Sequence, residues 1–111
     1  MSLSPTVDMG YLYSSLASDP DLSEIVDLFI DEMPGRVQNL SSALAEENWT
    51  QLGRYAHQMK GACGSYGFDA LSESAARLER ACRPLPCEEQ IRAAVEELTA
   101  LCQSVRRGTG E

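Results

Sequence analysis

Strand signals are missing from this sequence: no run alternates Val, Ile, Thr and aromatic residues with polar ones, so a sheet fold is not expected. Aromatic residues make up only 6%, and there is one tryptophan and one histidine. No apolar stretch approaches the roughly 20 residues that a membrane span needs. Met1 to Asp8 has neither a basic start nor an apolar run, so no secretory leader is expected. Basic residues are scarce: 9 against 17 acidic, a net charge of −8. A polyanion or an anionic bilayer would repel such a chain, which argues against nucleic acid and membrane partners. No Gly-rich phosphate loop appears, so ATP binding is not expected.

What is present is helical periodicity in 111 residues that are 43% hydrophobic, enough for one domain with a single core. Residues 7–17 read as a short helix presenting Val7, Tyr11 and Leu16. Asp19-Pro20 looks like an N-cap followed by proline at the first helical position. From there Leu22, Val26, Phe29, Met33, Val37, Leu40 and Leu44 recur at three- and four-residue steps. The reading is one helix over 20–46, kinked at Pro34 because the proline removes a backbone bond while the stripe continues past it. Asn48 to Gln51 resembles a capping box opening a helix over 49–65, with Leu52, Ala56, Met59 and Cys63 as its stripe. Another helix spans 68–82 with Leu71, Ala75, Leu78 and Cys82, and Arg83-Pro84-Leu85-Pro86 ends it. The last spans 88–107 with Ile91, Val95, Leu98, Cys102 and Val105, acidic at its start and closing on Arg106 and Arg107 as the helix dipole favours. Residues 108–111 form a polar tail. Short links between long amphipathic helices predict an all-α, antiparallel up-down-up-down four-helix bundle with a short additional N-terminal helix.

The four cysteines, Cys63, Cys82, Cys87 and Cys102, do not have the close spacing of a zinc site. Three of them fall on apolar stripes and read as small core residues with reduced thiols.

The chemistry concentrates on the helix over 49–65. On a helical wheel His57 points roughly 130° from the centre of that helix's apolar stripe, so it should face solvent. Gly53, Gly61 and Gly64 fall within about 40° of it, and Arg54 and Lys60 flank it on either side. Each glycine in a helix costs roughly 0.8–1 kcal/mol against alanine. Three around the only histidine suggest that something large must come close to the ring. A neutral imidazole is a nucleophile, and imidazole titrates just below neutrality, which suits phosphoryl transfer.

The run His57-Gln58-Met59-Lys60-Gly61-Ala62-Cys63-Gly64-Ser65-Tyr66-Gly67-Phe68 resembles the signature of histidine-phosphotransfer (HPt) domains: His, two residues, Lys-Gly, several small residues, then a glycine before the next helix. Ala56 and the later Leu78-Glu79 fit as well, and the resemblance covers essentially the whole chain. It implies a phosphocarrier rather than a stand-alone enzyme, with His57 phosphorylated on its outward nitrogen and Lys60 beside the phosphoryl group. It implies that Gly61 and Gly64 leave room for a receiver domain, and that Glu79 holds the other ring nitrogen. Gly53 and Arg54 join the docking face on the wheel alone. The implied partners are response-regulator receiver domains and a sensor histidine kinase, hybrid or not. The resemblance implies no cofactor on this chain; the catalytic aspartate and Mg2+ belong to the receiver. A cytoplasmic monomer is expected. A non-catalytic docking adaptor on the same fold and a cysteine-based redox or structural bundle are the competing readings. Pathway, direction of flow and attachment to a larger kinase are open.

Overall fold

The computed structural model describes residues 11–109, which are helical apart from links and the two ends. The helices are α1 (Ser23–Asp31), α2 (Met33–Ala45), α3 (Trp49–Ser65), α4 (Asp69–Ala81) and α5 (Glu88–Gln103). Consecutive members of α2 to α5 pack on one another, α5 returns to α2, and α1 leans on α2. One core fills the space between them.

The stripes read from the sequence line that core. Leu52, Ala56, Met59 and Cys63 are buried on α3; Leu71, Ala75 and Leu78 on α4, with Cys82 just past its end; Ile91, Val95, Leu98 and Cys102 on α5. Burying a side chain of Leu size contributes about 1.5–3 kcal/mol, and truncation adds the cost of the cavity left behind. Leu98 is fully buried and lies on α5, away from His57. Leu98→Ala should therefore lower unfolding free energy by about 2–5 kcal/mol, read from the midpoint of urea denaturation at unchanged m-value.

Both ends of α3 are fixed by local chemistry. Asn48 Oδ1 accepts from the Gln51 N–H at 3.1 Å, while the Asn48 N–H itself bonds the Ala43 carbonyl of α2 at 3.0 Å. One residue thus closes α2 and opens α3, and only half of the expected capping box is needed. At the far end the Phe68 N–H reaches the Cys63 carbonyl and the Gly67 N–H the Gly64 carbonyl, a Schellman pair. Gly67 sits at φ +83°, and a Cβ there would lie 2.5 Å from Ser14 Oγ, so the turn requires glycine.

Three expected elements differ. The helix over 20–46 is broken rather than bent: α1 ends at Asp31, Glu32 is a turn, and α2 restarts with Pro34 near its N-terminus. Proline has no N–H to offer the Ile30 carbonyl, and its ring is tolerated in a first turn but not in a helix interior. Asp19 does turn the chain, accepting from the Asp21 N–H at 2.9 Å, but α1 begins only at Ser23.

Residues 11–17 form no helix; Val7 lies outside the described residues. Leu12 makes an isolated parallel bridge with Val105, donating to the Ser104 carbonyl and accepting from the Arg106 N–H. Ser14 Oγ donates to the Tyr66 carbonyl and accepts from its own Leu16 N–H. The segment is a strap whose backbone is satisfied by the helix ends it crosses, and a helix would have to give those bonds up.

The last helix stops at Gln103, because Val105 is claimed by that strap. Arg106 and Arg107 therefore lie beyond the helix. Arg106 sits 4.1 Å from the Tyr11 ring centroid, and Arg107 pairs with Asp27 and Asp31 of α1.

Candidate functional site

Helix α3 carries small residues on the side that meets α4. Ala56 is fully buried, and a Cβ on Gly53 would stand 3.4 Å from Cys82 Cβ. A Cβ on Gly64 would stand 3.3 Å from Ser72 Oγ, and that hydroxyl donates to the Lys60 carbonyl at 2.8 Å. Small side chains and this cross-helix bond let the two helices run close together. The close approach sets Glu79 of α4 against the middle of α3.

Glu79 gathers three donors. His57 Nδ1 lies 2.9 Å from Glu79 Oε2, Lys60 Nζ lies 2.9 Å from Oε1, and the Arg83 guanidinium bonds Oε2 as well. The Glu79 side chain is only 10% exposed, whereas that of His57 is 64% exposed. A buried carboxylate needs such partners. The Lys60 hydrogen bond leads in holding the Glu79 carboxyl down at about 2; His57 and Arg83 add to it, and burial opposes it.

A group depressed in the folded state stabilises the fold fully above its unfolded pKa, and that contribution fades as pH falls towards the folded pKa. For Glu79 the window runs from its ordinary 4.5 down to about 2. Comparing wild type with Glu79→Gln by urea denaturation, the stability advantage of wild type should be flat near neutrality and shrink through this window. An advantage that is constant down to pH 3 would contradict the ion cluster.

The geometry also fixes what each nitrogen of His57 can do. An ionised carboxylate only accepts, so Nδ1 carries the hydrogen and donates to Glu79. In the neutral ring Nε2 then holds the free lone pair, on a side chain that is largely exposed. A nucleophile oriented by a buried carboxylate is the arrangement that nucleophilic chemistry asks for.

The candidate residues do not form one uniform face. Gly61 is exposed, and nothing lies within 4 Å of where its Cβ would be. Gly64 is exposed too, but its absent Cβ makes room for Ser72. Gly53, expected on the docking face, is buried instead: its missing side chain makes room for Cys82 and the α4 end rather than for a visitor. Arg54 is exposed and makes no ion pair among the described residues. It lines a groove of about 480 Å³ with His57, Trp49 and Arg83. Lys60, expected beside an incoming phosphoryl group, rests on Glu79 with its side chain 41% exposed. Arg83 was not among the residues read from the sequence. Its i,i+4 spacing from Glu79 was the available signal.

Three of the four cysteines are packed into the core. Cys63, Cys82 and Cys102 are buried, and burial pushes the Cys63 and Cys102 thiols up to about 11 and 12. Thiols held protonated are poor nucleophiles and ligands. Among the described residues no group of three or more His, Cys, Asp or Glu side chains is placed to hold a metal ion. No helix among them is long and apolar enough to cross a membrane.

A family model described as "Hpt domain" matches residues 24–108, which spans the His57 helix and its neighbours. No curated protein and no solved structure matches the chain.

Proposed function

The chain belongs to the Hpt-domain family, whose members carry out histidine phosphotransfer in phosphorelay signalling, and on that premise we propose that His57 is the residue that carries the phosphoryl group. The observation that supports this is the pairing of Nδ1 with buried Glu79 on a His57 side chain that is largely exposed, with no partner on Nε2 among the described residues. In the proposed step Nε2 attacks the acyl phosphate of a receiver aspartate. The N–P bond forms, the P–O bond to the aspartate breaks, and the carboxylate leaves. As Nε2 bonds to phosphorus the ring becomes positive, and Glu79 is in place to stabilise that charge through the Nδ1–H bond. The reverse sequence hands the group to a second receiver.

Family membership supports receiver domains and a sensor histidine kinase as the partners, and a phosphocarrier rather than an ATP-using kinase. The aspartate and Mg2+ are assigned to the receiver, with no cofactor on this chain. Links of a few residues between packed neighbours support the up-down-up-down course of α2 to α5. The reading takes the chain as a cytoplasmic monomer.

The test is transfer itself. Incubated with a receiver domain radiolabelled on its aspartyl phosphate, the protein should gain acid-labile, base-stable label as the receiver loses it. A receiver that binds without giving up label would favour the docking-adaptor reading.

A further inference from the structure

The steps above leave Arg83 without a task. It lies two residues beyond the end of α4, and its side chain is 63% exposed. Its guanidinium shares Glu79 Oε2 with His57 Nδ1, and it lines the same groove as the ring. A cation thus stands beside the reactive imidazole on the side open to solvent.

Charge balance gives that cation a use. With His57 neutral, Glu79, Lys60 and Arg83 sum to one positive charge. A phosphoryl group brings roughly −1.5 to −2 charges and three acceptor oxygens. With the ring now positive, the cluster's net charge falls from one positive to about zero, and the negative charge gathers on the phosphoryl oxygens, in a chain already at −8. One of the cations on Glu79 gains by turning to the new anion. Among the described residues Lys60 is the sole partner of Oε1, and its departure would leave that oxygen without a donor from them. Arg83 shares Oε2 with His57, so Arg83 can leave while both carboxylate oxygens stay bonded. Its planar fork also suits two oxygens of one phosphoryl group, which an ammonium does not match.

We propose that Arg83 is a second phosphoryl-binding residue, held on Glu79 while His57 is free and turning to the phosphoryl oxygens once Nε2 carries the group. This rests on the reading that His57 is the carrier, but its test needs no protein donor. Phosphoramidate can load the ring chemically: its P–N bond breaks, the Nε2–P bond forms and ammonia leaves. Phosphorus NMR then follows the second ionisation of the bound group against pH.

A cation in contact favours the dianion and lowers that ionisation midpoint. Arg83→Gln should raise it by about half a pH unit, as an exposed pair allows. Arg83→Lys should keep most of the effect. Arg92→Gln makes the same charge change among Glu47 and Glu88, away from the ring, and should leave the midpoint unmoved. A role confined to propping Glu79 would not move this signal. Equal midpoints for wild type and Arg83→Gln, or an equal shift in Arg92→Gln, would overturn the proposal. Failed transfer from receivers with a normal Arg83 effect would instead strike the relay reading alone. A wild-type chain that phosphoramidate cannot load leaves Arg83 nothing to bind and ends both.

Discussion

His57→Gln should take label uptake from a phosphorylated receiver to background while leaving the helical bundle intact. Glutamine has no nucleophilic nitrogen, since its amide lone pair is delocalised, so no N–P bond can form. The fold should not notice, because the His57 side chain is largely exposed and, among the described residues, its hydrogen bond is to Glu79 alone. Glu79 keeps Lys60 and Arg83 in the variant, and an amide in place of the ring can still donate to it. Surface changes of this kind move stability by about ±0.5 kcal/mol. The measurement pairs transfer with urea denaturation and receiver binding. Loss of label with normal folding and binding is the expected result. Label that persists in the variant would place the phosphoryl group on another residue and remove His57 from the mechanism.

The stripes were legible because packing imposes a period, and the period survives in the sequence. What the period could not report was any change that leaves its phase intact. A one-residue turn at Glu32 preserves the alignment of Phe29 with Met33, so a broken helix and a kinked one share a pattern. Val105 likewise continues the α5 stripe but is buried by pairing with Leu12, not by helical packing. The strap over 11–17 departs from the expected helix for the complementary reason: its bonds go to Tyr66, Gly67, Ser104 and Arg106, far away in the chain, and local propensity carries no trace of them.

The site divides along the same line. A wheel drawn on α3 shows that His57 points outward, and the structure agrees. It cannot show which glycine faces a neighbouring helix, because that depends on where α4 lies. Gly53 and Gly64 let α4 approach; Gly61 has open space. Glu79 was reached through the family pattern and Arg83 not at all. The convergence of His57, Lys60 and Arg83 on one carboxylate is a contact between helices, and it exists only once α3 and α4 are packed.

Gly61 therefore offers the sharpest separation of stability from function. Gly61→Arg places a long cationic side chain where nothing lies within 4 Å of the new Cβ, one turn along from His57. Replacing a helical glycine by a good helix former should stabilise the fold, by about 0.5–1 kcal/mol. If receivers dock as proposed, the same side chain would occupy the space through which they bring the aspartyl phosphate to Nε2. A steric block of that kind should slow transfer by more than about tenfold, at least 1.4 kcal/mol in the barrier. Phosphoramidate, being small, should still load His57 in this variant at close to the wild-type rate. A midpoint of urea denaturation that rises while receiver transfer falls cannot come from damage to the bundle. Transfer at the wild-type rate would mean that Gly61 leaves space no partner uses.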